Sequence, residues 1–277
     1  MAGQDSDLRV DSQGVSLRGE QAGEGTAVVL LHGLTASRRY VVMGSRLLER
    51  SGHRVIAYDA RGHGRSGAPA DRTAYAYEHL RADLQAVLDA LDIEQAVLAG
   101  ASMGAHTALS FALAQPRRVR ALCLITPSFD PSLQGHFVSW DALARGLRAG
   151  GIDGFVSAYD REAVPERWRA TVEKVLRQRM AEHANLRAVA DALEAVPRSR
   201  PFEQMEQLAG VSVPTLVVAS RDAADPGHPL AVGERYAQAI PGARLAVEDE
   251  GASPLAWQGG ALSRLIAALS ARAGEDG

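Results

Sequence analysis

Six short apolar runs punctuate the chain: Ala27–Leu31, Val55–Asp59, Ala96–Gly100, Ala121–Thr126, Pro214–Ala219 and Ala243–Val247. Each is five or six mainly apolar residues, and Ala27–Leu31 and Val55–Asp59 have the unbroken pattern of strands buried on both faces. Amphipathic or Ala/Leu-rich stretches with helical spacing separate them, at about 38–51, 78–91, 103–114, 230–240 and up to about 271. Strands alternating with helices predict a parallel sheet covered on both sides. Ahead of this series, Val15–Gly19 and the Gly23–Thr26 turn predict a short strand or hairpin. The alternation lapses from about 127 to 210, where the pattern is helical and no buried strand stands out. One domain is expected, with residues 1–130 and 206–277 forming an α/β core and residues 131–205 a helical cap.

One junction carries a chemical signature. The run Ala96–Gly100 meets Gly100-Ala101-Ser102-Met103-Gly104, and helix-forming residues follow. This is G-x-S-x-G set between a strand and a helix. A serine on so tight a turn sits in strained backbone geometry, and small residues two positions either side prevent collisions. Its hydroxyl then stands at a helix N-terminus, where amide N–H groups favour developing negative charge.

Composition narrows the function. With 277 residues, 46% of them hydrophobic, the chain can bury a sizeable core. Its only cysteine, Cys123, lies in an apolar strand and supports neither a disulfide nor a cysteine metal site. A net charge of −3 argues against general nucleic-acid binding. The polar start MAGQDSDLRV lacks a secretory apolar region, and no apolar run approaches a membrane span. A cytoplasmic protein with a small-molecule ligand is expected. Without a metal-ligand cluster or nucleotide loop, no cofactor is expected.

Three landmarks follow successive strands: His32-Gly33, then Asp59-Ala60-Arg61-Gly62-His63-Gly64-Arg65-Ser66, then the Ser102 turn. Together they resemble the α/β-hydrolase superfamily, in the group of carboxylesterases, lactonases and monoacylglycerol-lipase-like enzymes. The resemblance runs from about Leu17 to Leu269. It implies Ser102 as nucleophile, with the backbone N–H groups of Leu34 and Met103 forming an oxyanion hole. It also implies structural roles for His32 and His63. The acid is expected after the strand ending at Ala219, where Asp222 and Asp225 both lie; Asp225-Pro226-Gly227-His228-Pro229 resembles the family's D-P-x-x-P segment and favours Asp225.

The triad order on this fold places a histidine after the last strand. There the chain reads Gly251-Ala252-Ser253-Pro254, with Ala252 in the histidine's place and no histidine beyond His228. Three explanations stand. The base has moved, with His228 the first candidate and His106 and His183 more remote ones; the fold binds a ligand or catalyses a non-hydrolytic step; or the histidine has been replaced in a disabled esterase. Trp257 is expected near the vacant position. In the cap, Phe137, Trp140, Leu143, Leu147, Phe155, Tyr159, Trp168, Val172 and Val175 provide apolar surface to roof a pocket or pack onto the core. Its numerous arginines alternate with acids, the mixture of a solvated helical surface. The leading expectation is a serine-nucleophile hydrolase of a small carboxylic ester, thioester or lactone.

Overall fold

The computed structural model describes residues 6–132 and 137–275. Eight strands form one sheet: β1 (Ser6–Ser12), β2 (Val15–Ala22), β3 (Thr26–Leu31), β4 (His53–Asp59), β5 (Ala96–Ala101), β6 (Val119–Ile125), β7 (Thr215–Val218) and β8 (Arg244–Ala246). Their spatial order is β1-β2-β4-β3-β5-β6-β7-β8. The N-terminal hairpin β1–β2 joins antiparallel through β2 to β4, and the pairings from β4 to β8 are parallel. All six predicted runs are strands, and in β5 all five residues Ala96–Gly100 are buried. This is the α/β-hydrolase fold.

The helices are α1 (Leu47–Arg50), α2 (Tyr77–Ala90), α3 (Met103–Ala114), α4 (Phe137–Ala158, broken at Gly150–Gly151), α5 (Glu166–Ala181), α6 (Leu186–Ala195), α7 (Leu230–Ala239) and α8 (Gly259–Glu275). One expectation fails. The stretch 38–51 is not a single helix but a 3₁₀ turn at Arg38–Tyr40 and the short α1. Met43 and Gly44 between them adopt φ of 49° and 74°, a left-handed conformation that no continuous α-helix accommodates. Apolar spacing reported the buried side of this segment and was blind to that backbone reversal.

Between β6 and β7 the chain leaves the sheet for α4, α5 and α6, the helical cap. The cap does not stand apart. Leu143, Leu147, Phe155, Met180, Val189 and Leu193 share one buried cluster with Leu34, Tyr75, Leu80 and Met103 of the core. At the cap's edge, the Gly64 N–H donates to His183 Nδ1 at 2.8 Å, and the Ala184 N–H donates to the Gly64 carbonyl at 2.8 Å. The cap is thereby fastened to the loops that follow β3 and β4.

Candidate active site

The turn at Ser102 has the geometry its neighbours require. Ser102 adopts φ 51° and ψ −114°, outside the regions favoured by residues with a side chain. The Ser102 N–H donates to the Ile125 carbonyl at 2.9 Å, and its own carbonyl accepts from the His106 N–H at 3.0 Å, so strand and helix hold it from both sides. Glycine at the flanking positions is a steric necessity. A Cβ on Gly100 would lie 2.2 Å from the Gly104 carbonyl oxygen, and one on Gly104 would lie 2.0 Å from that of Leu31.

Ser102, His228 and Asp225 form a continuous chain of contacts. His228 Nε2 is 2.8 Å from Ser102 Oγ, and its Nδ1 is 2.9 Å from both carboxylate oxygens of Asp225. The tautomer that fits carries the proton on Nδ1, donates it to the carboxylate and leaves the Nε2 lone pair facing the serine O–H. Asp225 and His228 both come from the loop between β7 and α7, three residues apart. Burial works against ionisation of Asp225, but the adjoining His228 and the Arg179 charge outweigh it and hold the carboxyl below its ordinary range.

The other candidates sit elsewhere. Asp222 accepts from Trp257 Nε1 at 2.8 Å and from the Ala224 N–H at 2.9 Å, so its carboxylate is committed to Trp257 and its own turn. His106 is buried beneath the site. Its Nε2 accepts from the Ser128 and Phe129 N–H groups at 3.0 and 3.1 Å, and its Nδ1 donates to Tyr77 Oη at 3.0 Å. Burial and the nearby His228 pull its pKa down to about 3. His183 serves the cap contact already described. Ala252 is exposed on the turn after β8. Close by, the Glu248 carboxylate accepts from the Leu255 N–H at 2.9 Å and from the Arg221 N–H, tying the turn after β8 to the start of the β7–α7 loop.

Leu34, in the loop after β3, and Met103, the first residue of α3, are both buried in one apolar cluster. Met103 opens α3, so its N–H lacks an intrahelical acceptor. The Leu34 N–H is oriented through its own peptide plane: His32 Nδ1 donates to the Gly33 carbonyl at 2.8 Å, as does the Ala36 N–H at 3.0 Å. Because a trans peptide directs its C=O and N–H oppositely, fixing that carbonyl aims the Leu34 N–H the other way. His32 Nε2 in turn accepts from the Ala60 N–H at 2.9 Å, and His63 Nε2 lies 2.6 Å from the Leu34 carbonyl. Burial draws the His32 pKa down to about 4, with the neighbouring His63 adding to the effect.

A cleft of about 100 Å³ opens over the serine, lined by Leu34, Tyr40, Trp140, Arg179 and Trp257 together with Ser102, Asp225 and His228. Arg179 was not separated from the other cap arginines in the sequence, although a signal existed. Val172, Leu176, Arg179 and His183 recur at helical spacing along one stripe, which places a guanidinium in an otherwise apolar face. Among the described residues, no group of three or more His, Cys, Asp or Glu side chains is arranged to hold a metal ion. No helix among them is long and apolar enough to cross a membrane.

A family model described as alpha/beta hydrolase fold matches residues 26–187. The chain is 34% identical over 203 residues to a putative carbamate hydrolase RutD of Azorhizobium caulinodans, covering 72% of this chain and 74% of that protein. It is 28% identical over 193 residues to 3-oxoadipate enol-lactonase 1 of Acinetobacter baylyi, covering 69% and 68%. The crystal structure of the enol-lactonase from Burkholderia xenovorans LB400 superposes with a TM-score of 0.75 at 25% identity, covering 95% of this chain and 99% of that one. The chain belongs to the α/β-hydrolase family. It is an enzyme of that family, a hydrolase of small substrates.

Proposed function

We propose that this protein is a serine hydrolase of small carboxylic esters, thioesters or lactones, working through a triad of Ser102, His228 and Asp225. The observation that carries the reading is the 2.8 Å contact between His228 Nε2 and Ser102 Oγ, backed by Asp225 on the other ring nitrogen. A serine hydroxyl needs a neighbouring base to become a competent nucleophile, and His228 supplies one without a histidine at position 252.

Ser102 Oγ attacks the acyl carbon while its proton passes to His228 Nε2. The carbonyl oxygen becomes an oxyanion and accepts from the Leu34 and Met103 N–H groups, each such donor contributing about 3–4 kcal/mol to the transition state. Collapse of the tetrahedral adduct expels the alcohol or thiol, which takes the proton from His228. Water, deprotonated by His228, then attacks the acyl-serine and releases the acid. Asp225 holds the imidazole in the required tautomer and stabilises its protonated form. In a lactone the leaving oxygen stays tethered to the acyl chain, so one hydroxy acid is released.

The test is hydrolysis of short-chain aryl esters, with mass spectrometry of the protein after a fluorophosphonate. A single adduct on the peptide bearing Ser102, and loss of turnover in Ser102→Ala, are expected. Turnover that survives Ser102→Ala overturns the reading.

A further inference from the structure

The cap sends one cation into the cleft and gives it no anion to pair with. Arg179 lies in the last turn of α5, and its Nε is buried without a hydrogen-bond partner. Among the described residues, no carboxylate forms an ion pair with it. Several other cap arginines are ion-paired: Arg148 with Asp191 and Glu194, Arg169 with Glu162, Arg177 with Asp153 and Glu173, and Arg198 with Asp141. A half-buried charge left without an ion-pair partner is costly, so its retention at a cleft wall asks for a compensating group.

Arg179 is also held in place. Its guanidinium carbon lies 4.8 Å from the Trp257 ring centroid and 5.6 Å from that of Tyr40. These contacts are made through ring faces and leave the N–H edge of a planar fork available for a carboxylate. Trp257 is itself braced by the bond from its Nε1 to Asp222. The carboxylate whose charge acts on Arg179 is Asp225, whose oxygens both lie 2.9 Å from His228 Nδ1. Arg179, Trp257, Tyr40 and Ser102 line the same small cleft, so an anion at Arg179 belongs to a molecule whose acyl carbon reaches the serine.

Building on the serine-hydrolase reading, we propose that Arg179 is a substrate-binding residue that receives a free carboxylate, and that the preferred substrates are short esters, thioesters or lactones bearing a second acid group. Asp222 and Trp257 act as its positioning residues. The charge also opposes binding of long neutral acyl chains at this wall of the cleft.

The experiment compares kcat/KM for 4-nitrophenyl acetate and mono-4-nitrophenyl succinate in the parent, Arg179→Gln and Arg179→Lys proteins. The succinate-to-acetate ratio is expected to fall by about tenfold or more in Arg179→Gln, the size of a lost charge-assisted hydrogen bond, and by less in Arg179→Lys. An unchanged ratio, with both substrates declining together, means that Arg179 only pins the cap to Tyr40 and Trp257, and overturns the proposal. Fluorophosphonate labelling of Ser102 in the same preparations reads the hydrolase assignment separately: labelling with an unchanged ratio removes the carboxylate subsite alone. If neither turnover nor labelling occurs, the hydrolase assignment falls and glutarate decides the subsite. A rise in melting temperature with glutarate that disappears in Arg179→Gln sustains it, and no rise in the parent overturns it.

Discussion

His228 meets Ser102 from the same loop that carries Asp225, with Nε2 2.8 Å from the serine oxygen and Nδ1 2.9 Å from the carboxylate. In the triad proposed above, a D-P-G-H segment supplies both the acid and the base, and the turn after β8 is relieved of that duty. The exposed Ala252 is consistent with this division of labour. Introducing Ala252→His adds a surface imidazole and leaves the Ser102–His228 contact alone. Esterase activity is expected to stay within about threefold of the parent, as for a surface change away from the site's contacts; a large gain would show that the base had been missing.

The two aspartates after β7 separate by their partners. Asp225→Asn deprives His228 of the acceptor that fixes its tautomer and is expected to lower kcat by about 10³–10⁴-fold, as in other triads. Asp222→Asn retains a side-chain oxygen to accept from Trp257 Nε1 and is expected to cost under about tenfold. Equal losses in steady-state assays of the two variants contradict the assignment.

The pH profile has a defined sign. Asp225 is held below the ordinary carboxylate range and stays ionised through the working range. Protonation of Asp225 therefore adds no second ionisation to the acid limb of kcat/KM. A log–log slope near one is expected on the acid limb. A slope near two contradicts a single-base account.

Stability responds to acid through other histidines. Burial lowers His32 to about 4 and His106 and His183 to about 3, while in the unfolded chain each returns to about 6.5. Between those limits the unfolded state binds more protons, so stability is present above the unfolded pKa and is lost as pH falls toward the folded values. Near pH 5 these three groups give about three protons taken up on unfolding, a slope of roughly 4 kcal/mol per pH unit. Urea titrations at pH 7, 6 and 5 test this; a flat dependence contradicts neutral burial of these rings.

A buried ion pair makes a separate demand on the core. Arg61 and Asp83 are almost wholly buried and joined by two bonds, Nε to Oδ2 at 2.8 Å and Nη2 to Oδ1 at 2.6 Å. Asp83→Ala strands a guanidinium in the interior and is expected to cost about 3–5 kcal/mol, read as a lower urea midpoint. A loss under about 1 kcal/mol, the worth of an exposed pair, contradicts that burial.

The sheet was legible because strands buried on both faces leave unbroken apolar runs, as in β3 to β7; the sixth run also became a strand, although in β8 Arg244 and Leu245 are exposed. The serine turn was legible because close backbone approach admits only glycine at positions 100 and 104. The proximity of His228 to Ser102 was not, since periodicity says nothing of how a loop such as Asp225–Pro229 folds back over the sheet. The same blindness hid the reversal at Met43–Gly44. Arg179 was obscured by composition: its helix is rich in arginine and glutamate, and only the folded chain shows which of these arginines lines the cleft.

The most direct measurement is the rate at which a fluorophosphonate labels Ser102 in the parent and in His228→Ala. If His228 is the base, the parent labels rapidly and His228→Ala slows labelling by about 10³-fold or more, with the fold intact by circular dichroism. Labelling of His228→Ala at the parent's rate would contradict the account, because the serine would then draw its reactivity from another group.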